Sequence, residues 1–179
     1  AELMHDAKVG PVSADHREYL GDILTSARHL HQLINDVLDL AKIEAGKMEF
    51  NAEPVEVARI VREVRDILRG LAAERGVVVA DDVAAAPAEV RLDPARLKQV
   101  LYNFLSNAIK FTPAGGRITI RARVESVQRW RLEVEDSGVG IPAADQPFLF
   151  TEFARVEAGT AKKHKGAGLG LALTRRIVE

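Results

Sequence analysis

The chain has 179 residues and a formal net charge of -1, with 28% charged and 47% hydrophobic residues. A balanced charge argues against a nucleic-acid binder, whose footprint is a basic face, and the absence of cysteine excludes disulfides and thiolate metal sites. No run approaches the ~20 apolar residues of a membrane helix and no signal peptide opens the chain, so a soluble, cytoplasmic segment is expected, any membrane anchor lying upstream in a longer parent.

Residues 14 to 47 hold no proline, and glycine only at Gly21 and Gly46. Leu20, Ile23, Ala27, Leu30, Ile34, Val37 and Ala41 step by three and four, the spacing of a coiled coil or helix bundle. Ser13 or Asp15 can cap the start and Gly46 stops the end. Leu24, Leu33, Leu38 and Leu40 widen the stripe beyond a two-helix seam, which favours a four-helix bundle and implies a partner helix.

After residue 47 the texture changes to alternating strands and helices. A short strand is expected within 48–55, then an amphipathic helix from Val57 to about Arg75, closed by Gly76. Val77–Ala80 and Val90–Leu92 read as strands. Asp93-Pro94 opens a helix, with Asp as cap and Pro in the first turn. That helix runs to about Phe111 with an expected core face of Leu97, Val100, Leu101, Phe104 and Ala108. Ile118, Ile120, Ala122 and Val124 alternate with polar residues, as do Trp130, Leu132 and Val134 across a turn, the pattern of an antiparallel hairpin with one apolar face. Residues 142–153 read as a short helix or turn, 154–167 as a polar, mobile loop, and a last helix starts near Gly168. The expected fold is an α+β sandwich, helices on one face of a mixed, mostly antiparallel sheet, with a domain boundary between residues 47 and 48.

Three groups of residues carry chemistry. Asn103, Asn107 and Lys110 are spaced four and three, so they share one helix face, and asparagine is a weak helix former that needs a reason in mid-helix. Amide oxygens suit Mg2+; a solvent-facing polar stripe is the plainer alternative. Asp136-Ser137-Gly138-Val139-Gly140-Ile141-Pro142 puts a carboxylate at a strand end, followed by glycines that let backbone approach a flat ring; an ordinary turn is the alternative. Gly166-Ala167-Gly168-Leu169-Gly170-Leu171 opens the last helix, where free N–H groups make an anion site beside Lys162, Lys163 and Lys165; a hinge is the alternative. The glycines match neither a Walker A loop nor the dinucleotide fingerprint.

In this order the segments resemble those of sensor histidine kinases. LKQVLYNFLSNAIKFT (97–112) resembles the N box, Asp136–Pro142 the G1 box, FLFTEF (148–153) the F box and Gly166–Leu171 the G2 box, while LINDVLDLAKIEAGKMEF (33–50) resembles the end of the second dimerisation helix and its junction with the catalytic domain. The resemblance implies a Bergerat-type ATP-binding fold and transfer of the ATP γ-phosphoryl to a histidine, then to a response-regulator aspartate. Asn107 would ligate Mg2+, Asn103 would lie near the phosphates, and Lys110 and Arg155 would contact phosphate. Phe111 would sit by the nucleoside and Asp136 would accept from the adenine amine. Gly138, Gly140, Ile141 and Phe153 would shape the pocket, and Gly166, Gly168, Leu169, Gly170 and Leu171 would flank the triphosphate. A second copy through the stalk helices and a receiver domain are the implied partners.

The match has departures. In the family an acidic residue follows the phosphoacceptor histidine, with Pro a few positions on; His5-Asp6 with Pro11 places Pro one position too far, so the acceptor is expected upstream of this chain. His16, His29 and His31 read as bundle or surface residues and His164 as part of the loop. Ala167 stands where threonine is common, and the chain ends where the family continues into closing strands. Two rival readings are an ATP-holding pseudokinase and another Bergerat-type ATPase; the latter usually carries a catalytic Glu where Asn103 stands.

Overall fold

The computed structural model describes residues 2–6, 10–154 and 168–179, apart from the side chains of His5 and His29. The chain divides into two compact units, Ala1–Lys47 and Met48–Glu179.

The first unit holds a short helix, α1 (Glu2–His5), and a long one, α2 (Ala14–Glu44). Ser13 caps α2, its Oγ accepting from the His16 N–H at 3.3 Å, and Gly46 ends it in the left-handed conformation at φ +63°. An exposed Arg28–Glu2 ion pair at 3.2 Å joins the two helices, a contact worth at most about 1 kcal/mol. The heptad stripe is open: Ile23, Leu30, Ile34, Val37 and Leu38 are each about half exposed. Nothing in α1 is long enough to cover it.

The second unit begins with β1 (Glu53–Val55), which pairs antiparallel with β3 (Val90–Leu92). Between them lie α3 (Val57–Glu74) and β2 (Val78–Asp82). Then follow α4 (Pro94–Phe111), the hairpin of β4 (Arg117–Ser126) and β5 (Arg129–Asp136), a 3-10 turn at Gln146–Phe148, and α5 (Gly170–Val178). The larger sheet has the order β2-β4-β5. Strand β2 runs parallel to β4, and β5 antiparallel to it, with Ile120 opposite Val134 and Ala122 opposite Leu132.

The core is built from Ile60, Val61, Val64 and Leu68 of α3, Leu101, Leu105 and Ile109 of α4, and Ile118, Ile120 and Ala122 of β4. Each helix offers one stripe and the sheet one face, so neither α3 nor α4 buries its apolar residues without the other and the sheet. The expected core face of α4 holds at Val100, Leu101 and Ala108, which are buried, and at Leu97, which packs against the core; it fails at Phe104. Leu105 and Ile109 are fully buried, while Phe104 is only half-buried. Leu101, Leu105, Ala108 and Ile109 fall at i, i+4, i+7 and i+8, and with Val100 they form the buried stripe, so Leu105 and Ile109 take the place expected of Phe104. Phe104 therefore shares the rim with Asn103 and Asn107. Helix α5 also begins later than expected, at Gly170.

Asp93 fixes the start of α4. Its Oδ1 accepts from the Ala95 and Arg96 N–H groups at 2.9 and 3.1 Å, and its Oδ2 from the Asn51 N–H at 2.9 Å. Burial works to raise its pKa, but the three backbone donors, with Arg96 nearby, hold the carboxyl below its ordinary value. A depressed carboxylate stabilises the fold above its unfolded pKa, and that contribution is lost as pH falls through the folded value. Asp93→Ala should cost about 1–2 kcal/mol at pH 7. In urea titrations its deficit against the unaltered chain should shrink as pH is lowered through the acidic range; a gap that stays constant with pH would assign the loss to packing instead.

Candidate functional site

Helix α4 carries the residues around which the others gather. Its buried stripe turns Asn103, Asn107, Lys110 and Phe111 to the rim, where all four are half-buried. From Asn103 to Phe111 the helix rises roughly 12 Å, at 1.5 Å per residue, so the two ends of this row can meet different parts of one elongated ligand.

At the C-terminal end of the row lies the turn after β5. The Val139 N–H reaches the Phe111 carbonyl at 3.4 Å. The Gly138 N–H donates to Asp136 Oδ1 at 2.9 Å. A Cβ on Gly138 would stand 2.5 Å from that same oxygen and 2.8 Å from the Phe111 carbonyl oxygen, so only glycine fits. Ser137 closes the base of the turn: its Oγ accepts from the Arg117 N–H at 2.9 Å, and its N–H donates to the Arg117 carbonyl. The Asp136 side chain thus keeps one oxygen engaged by backbone while the residue stays exposed. Gly140 and Ile141 are exposed beyond it. Thr112 lies beneath, buried, and among the described residues its Oγ1 has no protein partner.

At the other end, Asn103 meets the start of α5. Its Nδ2 donates to the Gly170 carbonyl at 3.1 Å and to Thr174 Oγ1 at 3.3 Å. No side chain caps α5, so its first N–H groups are the donors that a helix N-terminus offers to an anion. Gly168, at φ +72°, packs on the chain entering from the other side: a Cβ there would stand 2.6 Å from the Ala154 carbonyl oxygen and 2.8 Å from the Phe153 carbonyl carbon. Phe153 itself adopts φ +58°, an uncommon conformation for a bulky residue and one that concentrates at functional sites.

Lys110 sits with its Nζ 4.9 Å from the Phe111 ring centroid, a cation held in the last turn of α4, where the helix dipole favours it. The Leu169 side chain is 2% exposed and belongs to the core, so it is its backbone that can face a ligand. Gly170 and Leu171 are half-buried. Arg155 and Gly166 lie outside the described residues, as do Ala167, His164 and the three lysines of that segment. The residues that sequence reading missed are Thr174, buried on α5 against Asn103, and Thr112; neither sits at a motif glycine or carries a charge that would draw the eye.

Among the described residues no cluster of three His, Asp or Glu side chains can hold a metal alone. The donors at hand are amide oxygens, which fit a hard cation that keeps water and takes further ligands from phosphate. A hollow of about 320 Å³ exists elsewhere, lined by Arg65, Arg69, Ala72, Ala73, Val77 and Val79. Its arginines already pair with Asp81 and Asp66, so its rim charge is compensated.

Two family models match the chain: the histidine kinase-, DNA gyrase B- and HSP90-like ATPase over residues 92–179, and the His Kinase A (phospho-acceptor) domain over residues 1–46. The circadian input-output histidine kinase CikA of Synechococcus elongatus is 38% identical over 172 residues, 95% of this chain and 23% of that protein. The signal transduction histidine-protein kinase BarA of Escherichia coli is 37% identical over 166 residues, 90% of this chain and 18% of that protein. Full-length ShkA in complex with AMPPNP superposes with a TM-score of 0.79 at 32% identity, covering 95% of this chain and 35% of that one. The chain therefore spans about a quarter or less of the curated relatives it matches here.

The glycines offer a direct check of the geometry. Gly168→Ala adds a steric clash with the Phe153–Ala154 backbone to the conformational cost of positive φ, whereas Gly140→Ala, at φ +69° with nothing within 4 Å, carries only the conformational cost, about 1–2 kcal/mol. Thermal unfolding should therefore show a clearly larger loss in Tm for Gly168→Ala. Equal losses would mean that the packing of Gly168 on Phe153–Ala154 is not formed in solution.

Proposed function

The chain belongs to the sensor histidine kinases, pairing a His Kinase A segment with an ATPase segment of the histidine kinase, DNA gyrase B and HSP90 type, and from that premise we propose that residues 48–179 bind ATP and present its γ-phosphoryl group for transfer to a histidine. The observation that carries this reading is the gathering of two separate segments on α4, the Asp136–Val139 turn at Phe111 and the α5 terminus at Asn103, with the half-buried Asn107 and Lys110 of α4 between them.

The division of labour follows from the chemistry of each group. Asp136, its carboxylate anchored by the Gly138 N–H, accepts a hydrogen bond from the adenine amine, and the bare Gly138 backbone lets the ring lie close. Phe111 flanks the nucleoside. Toward the other end, the Asn107 and Asn103 amides, Lys110 and the uncapped N-terminus of α5 face the phosphates, with Arg155 and Gly166 as further expected contacts. Mg2+, when bound at Asn107, neutralises phosphate charge. Phosphoryl transfer asks for positioning and charge compensation rather than a protein nucleophile, and these residues supply both. Asparagine at position 103, rather than a glutamate that would activate water, suits transfer over hydrolysis.

We further propose that residues 1–47 form part of a stalk that pairs with a second copy through the open stripe of Ile23, Leu30, Ile34 and Val37. A receiver domain then takes the phosphoryl group onto an aspartate. None of the five histidines of this chain is the acceptor in this reading. His16 and His31 stand on α2 without the acidic residue and nearby proline of an acceptor, and His31 Nδ1 lies 3.1 Å from Asn35 Nδ2.

Calorimetric titration tests the reading. The unaltered chain should bind ATP, more tightly with Mg2+. Asp136→Ala should weaken binding about tenfold or more, the usual worth of a hydrogen bond to a charged group. Folded protein that takes up no nucleotide would sink the proposal. Incubation of this chain with ATP should leave no acid-labile phosphohistidine on it; such a product would overturn the assignment of the acceptor.

A further inference from the structure

We propose that Thr174 is a positioning residue that sets which end of the Asn103 amide faces the nucleotide, an inference that rests on the ATP site assigned above. The two ends of an asparagine amide are nearly equal in size, so hydrogen bonding alone decides which way it points. Asn103 has Nδ2 within reach of two oxygens on α5, the Gly170 carbonyl at 3.1 Å and Thr174 Oγ1 at 3.3 Å. A carbonyl only accepts, so the end that meets it must be the NH2. The Thr174 hydroxyl takes the second proton of the same group. With both protons committed to α5, the amide cannot turn over without leaving donors unpaired and setting its own oxygen against the Gly170 carbonyl. Oδ1 is then the end left for a cation or its bound water.

The surroundings are built for this contact. Thr174 is 2% exposed, one turn after Gly170 on the same face of α5. Gly170 lets the helix come down on Asn103: a Cβ there would stand 3.3 Å from both Cγ and Oδ1 of that side chain. Thr174 lies outside the motif glycines and its hydroxyl meets the Asn103 amide, so it acts through that residue.

The consequence is specific to the cation. If Thr174 orients the amide oxygen, its loss lowers the gain in nucleotide affinity that Mg2+ brings, and not only affinity as a whole. Thr174→Val keeps the shape and removes the acceptor; Thr174→Ser keeps the hydroxyl. Calorimetry of each, with Mg2+ and with chelator, gives the ratio of the two ATP affinities. We expect this ratio to fall about three- to tenfold in Thr174→Val and to recover in Thr174→Ser. Should Thr174→Val not fold, Thr174→Ala makes the same comparison. A second readout needs no ligand: NMR of the nucleotide-free protein should show both Asn103 side-chain amide protons protected from solvent exchange, and one of them losing protection in the valine variant. A merely structural Thr174 would lower both affinities in proportion, and an unchanged ratio in a folded variant overturns the inference while the ATP site stands. An unaltered chain that binds no ATP would overturn the site and this inference together.

Discussion

The rotational setting of α4 governs the second unit. Leu101, Leu105 and Ile109 are fully buried against α3 and the sheet, and at about 0.8 kcal/mol per buried methylene no single polar contact on the rim can compete with them. That burial chooses the face on which Asn103, Asn107 and Lys110 stand. The polar row is mid-helix, where asparagine is a poor choice for helix stability, and it is kept because the apolar stripe behind it supplies more than the row costs.

The strained and crowded backbone lies at the two places where other segments meet this row. Gly138 is pressed between Asp136 and the Phe111 carbonyl, and Gly168 between Phe153 and Ala154. At Gly168 a side chain is excluded by backbone alone, and at Gly138 by the Asp136 carboxylate oxygen together with the Phe111 carbonyl. Backbone so placed is fixed in advance, and amide donors held in this way need no reorganisation when charge arrives.

Much of this was legible beforehand. Asp93-Pro94 announced the start of α4, the alternation of Ile118, Ile120 and Ala122 announced a buried strand face, and glycines marked the turns, because caps, period-two patterning and positive φ are local properties. What escaped was set by tertiary geometry. Phe104 and Leu105 are both large and apolar, and only the position of α3 and the sheet decides which of them turns inward. Leu169 sits among motif residues yet is core, since a leucine between two glycines gives no sign of the direction it faces. Thr174 was invisible for the same reason: a threonine on an amphipathic helix gains meaning only once Asn103, far away in sequence, is brought to 3.3 Å from it.

The first unit poses the opposite problem. Helix α2 has 31 residues, roughly 46 Å at 1.5 Å per residue, and its stripe of Ile23, Leu30, Ile34 and Val37 stays about half exposed. A helix gains most of its stability from packing an apolar face rather than from propensity, so a stripe of this length in heptad register is written for a partner helix. In the second unit the apolar residues of α4 fix its orientation from within the same chain. In α2 the described residues of the same chain leave the corresponding stripe half exposed.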